Sequence, residues 1–360
     1  MLLNRALPAA AVTLAPDDPL AITEVRTWPL REPLSRRRYT VLRLRAKAGI
    51  EGFGECGGLE AGDAESAERA LAGQPATAVA TIAARFTGRP ALAAAVNMAA
   101  LDLAARFAKV PLFQYLGGPT RFKVRAMTRL DDVAPNESML RARAAGFRAF
   151  AVPLPARGAR EQLEALRKAA GQEADFVLDA GGAGLPLRAA AALCREIETF
   201  HPYWFDEPCP ASNLVGARRL ANESVTPLGF GRDIADAASF EALLREEAVD
   251  VLRPSLALHG ITGIRKLAAM AETRYVAVAP WHDGGPVGTA AALHLAASLP
   301  NFFIQQLPFP AAEEDRAMRA ALSNSRLETP EGGFLALPQG HGLGVAPDVK
   351  ALEQYREAAR

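Results

Sequence analysis

The stretch FVLDA, residues 176–180, decides the fold of this 360-residue chain together with two later stretches of the same kind, YWFDE (203–207) and GFGRD (229–233). In each, an apolar run leads to a charged residue: Asp179, Asp206 and Arg232. Asp206 follows Asp179 by 27 residues, and Arg232 follows Asp206 by 26. This is the spacing of successive strands in a (β/α) barrel, where three acids at neighbouring strand ends would hold a hard divalent cation. The third position carries a cation of its own instead of an acid.

Short apolar runs alternate with helix-length segments from Val124 onward, and their starts are 22 to 27 residues apart. The eight runs are 124–130, 149–154, 176–180, 203–207, 227–233, 249–255, 275–281 and 302–307. Strand–helix alternation at this period predicts an α/β fold with a parallel sheet, and eight units favour closure into a barrel. A doubly wound open sheet is the competing fold, which the eight regular units and the polar strand ends disfavour.

Four segments follow from these patterns. Residues 1–20 have no periodicity and form a predicted tail. Residues 21–123 combine alternating strands with helical segments rich in Ala and Leu, which is typical of a small α+β domain. Residues 124–321 form the predicted barrel. Residues 322–360 are polar and rich in glycine, and we expect them to pack back on the first domain.

Composition excludes several classes of protein. Forty-one basic and 40 acidic residues give a net charge of +1, which indicates neither a nucleic-acid partner nor a membrane partner. Three widely spaced cysteines form neither a disulfide framework nor a metal motif, so a reduced cytoplasm is expected. The segment Ala6 to Ala15, small and apolar after a single arginine, leaves an export signal open as an alternative.

Seven motifs in chain order resemble the mandelate racemase and muconate-lactonizing branch of the enolase superfamily. They are GFGE (52–55), AALDLA (99–104), PLFQYLGG (111–118), GFRAF (146–150), DEP (206–208), GIT (260–262) and GPVG (285–288). The resemblance spans about residues 20 to 350. It implies a (β/α) barrel of the modified TIM type with an N-terminal α+β capping domain.

The resemblance also implies a chemistry. Such a family removes the proton next to a substrate carboxylate, Mg²⁺ stabilises the enolate, and a Lys or His is the base. The capping domain's loops, here residues 30–38 and 56–63, would close over the barrel and choose the substrate. Members form homo-oligomers, which we expect here too.

The implied metal ligands are incomplete. Asp179 and Asp206 match the first two ligand positions of the family, whereas Arg232 replaces the third. Asp233 is adjacent, but neighbouring side chains on a strand point to opposite faces. It would coordinate a metal only if the strand has already ended, and the alternative is that it caps the following helix.

The implied bases are altered as well. The Lys-x-Lys pair of the second strand corresponds to residues 151–153, Ala-Val-Pro, which cannot accept a proton. At the end of the seventh strand Trp281 takes the usual histidine position, and His282 follows it. We therefore name His282, with Asp283 and Arg232, as the candidate catalytic residues, since an ordinary histidine has a pKa near 6.5. The alternative is a loop histidine that hydrogen-bonds Asp283.

The candidate substrate-binding residues are Arg232, Trp281, Ser255 and Gln306. Ser255 stands where the family often has an Asp that partners a catalytic histidine. Gln306 stands where an acid is common, and an amide cannot transfer a proton at neutral pH.

Charge conservation gives Arg232 a role. Two aspartates with one arginine carry the same net charge of −1 as three carboxylates around one Mg²⁺. Unit charges 4 Å apart at an effective dielectric of 20 interact by roughly 4 kcal/mol, so Mg²⁺ beside Arg232 would be opposed. We therefore expect no cofactor, with Arg232 bridging Asp179 and Asp206 or turning one edge to a substrate carboxylate. The alternative is that Arg232 swings into solvent and a weak Mg²⁺ site survives on two aspartates.

Two functions remain open from the sequence. In the first, the chain is an isomerase or lyase that epimerises or dehydrates a hydroxy acid or sugar acid by α-proton abstraction. In the second, it is a carboxylate-binding barrel that has lost both metal and base. Either way the expected partner is a small carboxylate, and the sequence does not identify it.

Overall fold

The computed structural model describes residues 18–155, 158–171, 173–181, 185–323 and 326–357. Most of the predicted tail, including the segment from Ala6 to Ala15, lies outside the described residues.

The capping domain consists of an antiparallel sheet covered by helices. Its strands are β1 (Ile22–Arg31), β2 (Arg38–Ala46) and β3 (Glu51–Cys56), and its helices are α1 (Asp63–Leu71), α2 (Val79–Ala84), α3 (Pro90–Phe107) and α4 (Leu112–Tyr115). The strands are paired in the order β1-β2-β3. Apolar residues of these strands and of α3, such as Leu44 and Leu103, are buried together.

Two glycines let α3 lie directly on β3. A Cβ atom added to Gly54 would lie 2.0 Å from the carbonyl oxygen of Ala95, and one added to Gly52 would lie 2.2 Å from that of Ala99. Only glycine permits this approach, which explains the GFGE motif. By length and composition α3 is the one helix of the described chain that could cross a membrane, but it is mostly buried in the protein core.

The second domain alternates parallel strands and helices. The strands are β4 (Lys123–Arg129), β5 (Ala149–Pro153), β6 (Asp175–Asp179), β7 (Phe205–Asp206), β8 (Leu228–Phe230), β9 (Val251–Leu252), β10 (Ala277–Val278) and β11 (Gln305–Leu307). The helices are α5 (Pro135–Ala144), α6 (Ala159–Ala170), α7 (Leu187–Ile197), α8 (Leu214–Glu223), α9 (Ala237–Arg245), α10 (Leu256–Glu272), α11 (Pro286–Ala296) and α12 (Glu313–Ser323). All eight predicted strands are present.

Hydrogen bonding closes this sheet into a barrel. The strands pair in the order β10-β9-β8-β7-β6-β5-β4-β11. The gap between β10 and β11 is bridged at Val278, whose N–H donates to the carbonyl oxygen of Asn301 (2.9 Å) and whose carbonyl oxygen accepts from the N–H of Phe303 (2.9 Å). The predicted (β/α) barrel with a capping domain is therefore confirmed, and the open doubly wound sheet is wrong.

The C-terminal segment contacts both domains. It contains β12 (Phe334–Ala336), which pairs antiparallel with β4, and α13 (Val349–Gln354). The carboxylate of Glu353 accepts a hydrogen bond of 2.8 Å from the indole N–H of Trp28, and the N–H of Glu357 donates to the carbonyl oxygen of Pro29 (2.8 Å). These bonds tie the end of the chain to β1.

Candidate functional site

The three strand-end residues that define the fold lie together at the mouth of the barrel. Asp179 ends β6, Asp206 ends β7, and the two residues are paired in register. Arg232 lies two residues beyond the end of β8. All three are buried. The predicted cluster therefore forms because the carboxyl ends of neighbouring parallel strands meet at one edge of a barrel.

Arg232 forms a bidentate pair of hydrogen bonds with the carboxylate of Asp179. Its Nη2 atom donates to Oδ1 over 2.8 Å and its Nη1 atom to Oδ2 over 3.1 Å. Its Nε atom lies 3.7 Å from Oδ2 of Asp206. Burial alone raises the pKa of Asp179, but the guanidinium outweighs it and holds that pKa below its ordinary value. The alternative in which Arg232 swings into solvent is wrong.

Two further arginines, which the sequence analysis missed, complete this cluster. Arg253, fully buried just after β9, donates from Nε to Oδ1 of Asp206 over 3.1 Å. Arg129, at the end of β4, donates from Nε to Oδ2 of Asp179 over 3.0 Å. A basic residue directly after the apolar run Val251–Leu252 is the signal that could have revealed Arg253.

Glu207 supports the backbone of the turn that carries Arg232. It accepts hydrogen bonds from the N–H groups of Gly231 (2.8 Å) and Arg232 (2.9 Å). Burial, with the neighbouring Asp206, raises the pKa of Glu207 to about 7. By accepting these two hydrogen bonds, Glu207 holds the turn at Gly231 and Arg232 in place at the end of β8.

Asp233 does not join the cluster. It is exposed, and the cap of α9 is Asp236, whose side chain accepts a hydrogen bond of 2.8 Å from the N–H of Ser239. The prediction that Asp233 caps the helix is wrong, because three more residues of loop precede α9.

The site does not fit Mg²⁺. Within the described residues, no group of three or more His, Cys, Asp and Glu side chains could hold a metal ion. Hard divalent cations require several free oxygen ligands, whereas the oxygens of Asp179 and Asp206 accept hydrogen bonds from guanidinium groups. The third ligand position carries a positive charge.

His282 lies in a buried position between the two domains. Its Nε2 atom lies 3.1 Å from the carbonyl oxygen of Gly285 and 3.1 Å from Oγ1 of Thr289. Burial, assisted by Arg319, lowers its pKa to about 4. The expectation of an ordinary pKa near 6.5 is therefore wrong, and so is the alternative in which His282 bonds Asp283.

Asp283 points instead to the capping domain. Its Oδ1 atom lies 3.0 Å from Nη2 of Arg37, and its side chain is 43% exposed. Arg37 also pairs with the buried Glu32 at 3.3 Å. The loop between β1 and β2 is thus fixed to the end of the seventh barrel strand by an ion pair.

A cleft of about 420 Å³ opens between this loop and the barrel. The capping domain contributes Leu34, Ser35 and Arg37, and the barrel side includes Thr128, Arg129, Asp131, Asp283 and Gln306. The hydroxyl of Thr128 is buried without a hydrogen-bond partner. A cleft with two arginines and several polar groups can bind a small polyhydroxy carboxylate.

A smaller cavity of about 100 Å³ lies beside the cleft. Glu55, Ser255, Trp281 and His282 are among the residues that line it. Three of the predicted substrate-binding residues are therefore divided between two spaces, with Gln306 in the cleft and the other two in the cavity. Gln306 also accepts a hydrogen bond of 2.6 Å from Nη2 of Arg253.

The chain matches a known family over most of its length. Residues 25–117 match the N-terminal domain of mandelate racemase and muconate lactonizing enzyme, and residues 135–351 match the enolase C-terminal domain-like family. The chain therefore belongs to the mandelate racemase and muconate lactonizing enzyme branch of the enolase superfamily.

Curated relatives are sugar acid dehydratases. D-Galactonate dehydratase from Klebsiella pneumoniae (strain 342) is 27% identical over 377 residues, covering 94% of this chain and 95% of the relative. D-Mannonate dehydratase from Caulobacter sp. (strain K31) is 28% identical over 304 residues, covering 73% of each.

Solved structures share the fold. The 3,6-anhydro-D-galactonate cycloisomerase from Zobellia galactanivorans is 23% identical with a TM-score of 0.83, over 94% of this chain and 100% of that chain. A mandelate racemase/muconate lactonizing enzyme from Sulfitobacter sp. is 24% identical with a TM-score of 0.82, over 94% and 96%. Members of the superfamily generally use Mg²⁺, which does not support the expectation that no cofactor is needed.

Proposed function

We propose that this chain acts on a sugar acid as a lyase or isomerase, by abstraction of the proton next to the carboxylate. The observation that carries the proposal is the cleft between the barrel and the β1–β2 loop, residues 32–37, where Arg37 and Arg129 supply positive charge. A guanidinium group binds a carboxylate through two parallel N–H donors. A substrate carboxylate would displace Asp132 from Arg129, whose Nη2 atom donates to Asp132 over 2.7 Å. The names of the curated relatives, which include galactonate, mannonate and gluconate dehydratases, support a sugar acid as the substrate class.

The residues of the cleft suggest how the proton would move. The substrate carboxylate replaces Asp283 as the partner of Arg37, which frees the Asp283 carboxylate to accept the α-proton. The negative charge passes to the substrate carboxylate as an enolate, beside the guanidinium groups of Arg37 and Arg129. The β-hydroxyl group then leaves as water with the proton held by Asp283, which gives dehydration, whereas a proton delivered from solvent to the other face gives epimerisation.

The second candidate is a carboxylate-binding barrel without turnover. It is favoured by the end of β5, where Ala151 and Pro153 stand at the positions of the family's Lys-x-Lys pair. The buried pairing of Asp179 with Arg232 favours it too. A guanidinium stabilises an enolate less than Mg²⁺ does, so the barrier to proton abstraction would be higher.

One NMR experiment separates the two candidates. The protein is incubated in D₂O with D-galactonate, D-mannonate, D-gluconate and D-xylonate, once with Mg²⁺ and once with EDTA. Saturation-transfer NMR measures binding, while proton spectra follow loss of the α-proton signal and formation of product. We expect binding with exchange that Asp283→Asn abolishes. Binding without exchange supports the second candidate, and absence of binding contradicts both.

A further inference from the structure

We infer that two arginines, not one, stand in place of the divalent cation of this family: Arg232 neutralises Asp179, and Arg253 neutralises Asp206. Which cation neutralises these carboxylates does not depend on the reaction proposed above. Because Asp179 and Asp206 are each paired with an arginine, replacing one arginine leaves the other carboxylate paired.

Both carboxylate oxygens of Asp179 accept two hydrogen bonds each. Oδ1 accepts from Nη2 of Arg232 (2.8 Å) and from the N–H of Gly181 (2.9 Å). Oδ2 accepts from Nη1 of Arg232 (3.1 Å) and from Nε of Arg129 (3.0 Å). An ionised carboxylate offers about four acceptor positions, and these four bonds use them. A metal ion could bind Asp179 only after a guanidinium group left.

Asp206 is paired with a different arginine. Its Oδ1 atom accepts from the indole N–H of Trp204 (2.9 Å) and from Nε of Arg253 (3.1 Å), and its Oδ2 atom lies 3.3 Å from the same Nε. The remaining donors of Arg253 bind the carbonyl oxygen of Ala279 (2.7 Å) and Oε1 of Gln306 (2.6 Å).

Burial prevents Arg253 from leaving. Its side chain is fully buried and lies over the ring of Trp204, with the guanidinium carbon 5.2 Å from the ring centre. Breaking a buried ion pair leaves an uncompensated charge, which is strongly unfavourable. Arg253 therefore remains on Asp206 whatever occupies position 232.

The consequence is that an acid at position 232 does not by itself restore a metal site. Arg232→Glu supplies the third carboxylate of the family, but Asp206 stays paired with Arg253. Both arginines must be replaced before each aspartate has an acceptor position open to a cation beside the new acid, since Asp179 then keeps only Arg129 and Gly181 as donors. Arg232→Glu with Arg253→Gln is the variant that meets this condition.

Electron paramagnetic resonance with Mn²⁺ tests the inference, because Mn²⁺ prefers the same oxygen ligands as Mg²⁺ and free Mn²⁺ gives a distinct signal. The protein set is the wild type, Arg232→Glu and the double variant. Arg218→Glu is the matched control, since Arg218 forms an exposed ion pair with Glu246 at 2.9 Å and its replacement changes the net charge equally. Thermal unfolding with Mg²⁺ and with EDTA is measured in parallel, because a bound ion raises the melting temperature.

We expect the wild type, Arg232→Glu and Arg218→Glu to bind Mn²⁺ equally weakly, with melting temperatures that EDTA leaves unchanged. The double variant should bind Mn²⁺ at least about tenfold more tightly than the wild type. Changes in the residues that contact metal ligands typically alter metal affinity by at least about this factor. Stoichiometric binding to the wild type that Asp179→Asn abolishes would overturn the inference. Tight Mn²⁺ binding by Arg232→Glu alone would contradict the role of Arg253. This measurement on the single variant tests the inference even if the double variant does not fold.

Discussion

The carboxylate of Glu55, on the last strand of the capping domain, accepts a hydrogen bond of 2.6 Å from the N–H of Gly285, directly before α11 of the barrel. Its second oxygen accepts from the N–H of Gly288 over 3.1 Å. Helix N-termini carry N–H donors without partners in the helix and a partial positive charge. An acidic side chain there accepts hydrogen bonds from the donors and interacts favourably with the charge. Glu55 thus joins the two domains at the mouth of the barrel, beside His282.

Stability should fall with rising pH because of Glu55. Burial raises its pKa to about 7 against the opposing effect of the two N–H groups, whereas the unfolded chain has the ordinary pKa near 4.5. The folded state therefore binds the proton more tightly, and the stability present below pH 4.5 is lost as the pH rises to about 7. Urea unfolding at pH 5 and pH 8 should show that Glu55→Gln loses less stability than the wild type, by up to about 3 kcal/mol. Glu65→Gln, an exposed change in the same domain, is the control and should follow the wild type.

His282 should make the protein acid-sensitive. The unfolded histidine binds a proton near pH 6.5, but burial and the nearby Arg319 lower the folded pKa to about 4. Unfolding therefore takes up a proton between pH 6.5 and 4, and stability falls as the pH is lowered through this window, by up to about 3 kcal/mol. In thermal unfolding at pH 7 and pH 5, His282→Gln should lose less stability than the wild type. His341→Gln, at an exposed histidine, should behave like the wild type; equal pH profiles for all three would contradict the assignment.

The fold could be predicted because its signals are local and repeated. Each barrel strand is a short apolar run, and a helix-length segment follows it, so Asp179 and Asp206 could be placed at strand ends from their spacing. Gly52 and Gly54 could be recognised as a motif, but the close approach of α3 became visible only in three dimensions.

The site could be predicted only in part because its decisive contacts join distant residues. Arg253 pairs with Asp206 across 47 positions, and Glu55 bonds Gly285 across 230. The ordinary pKa expected for His282 was wrong because burial by the capping domain cannot be read from the residues around it. Single-sequence patterns report which residues end a strand, not which side chains meet there.

The cap of α9 provides a direct comparison of two nearby aspartates. The side chain of Asp236 accepts a hydrogen bond from the N–H of Ser239, whereas the exposed Asp233 lies outside the helix. Asp236→Ala should lower the free energy of unfolding by about 1 kcal/mol, the usual value of such a cap. Asp233→Ala should change it by less than about 0.5 kcal/mol, as for most surface changes. Urea denaturation of both variants measures the difference, and equal effects would contradict the assigned cap.

Arg37 should bind the ligand of the cleft through its charge. It lies in the loop between β1 and β2, with a side chain 23% exposed, and pairs with Asp283 at 3.0 Å and Glu32 at 3.3 Å. Arg37→Gln removes one of the two arginine cations that line the cleft. It should therefore weaken binding of the best ligand in the sugar acid screen by roughly tenfold, or about 1.4 kcal/mol, as expected for one charge-assisted hydrogen bond. Arg38→Gln is the matched control, because Arg38 pairs with Glu357 at 2.8 Å and not with the cleft residues. Isothermal titration calorimetry at low and high salt measures both variants. Since the Arg37 contact is electrostatic, the difference in ligand affinity between the two variants should become smaller at high salt. An equal loss of affinity in both variants would indicate that the ligand binds elsewhere.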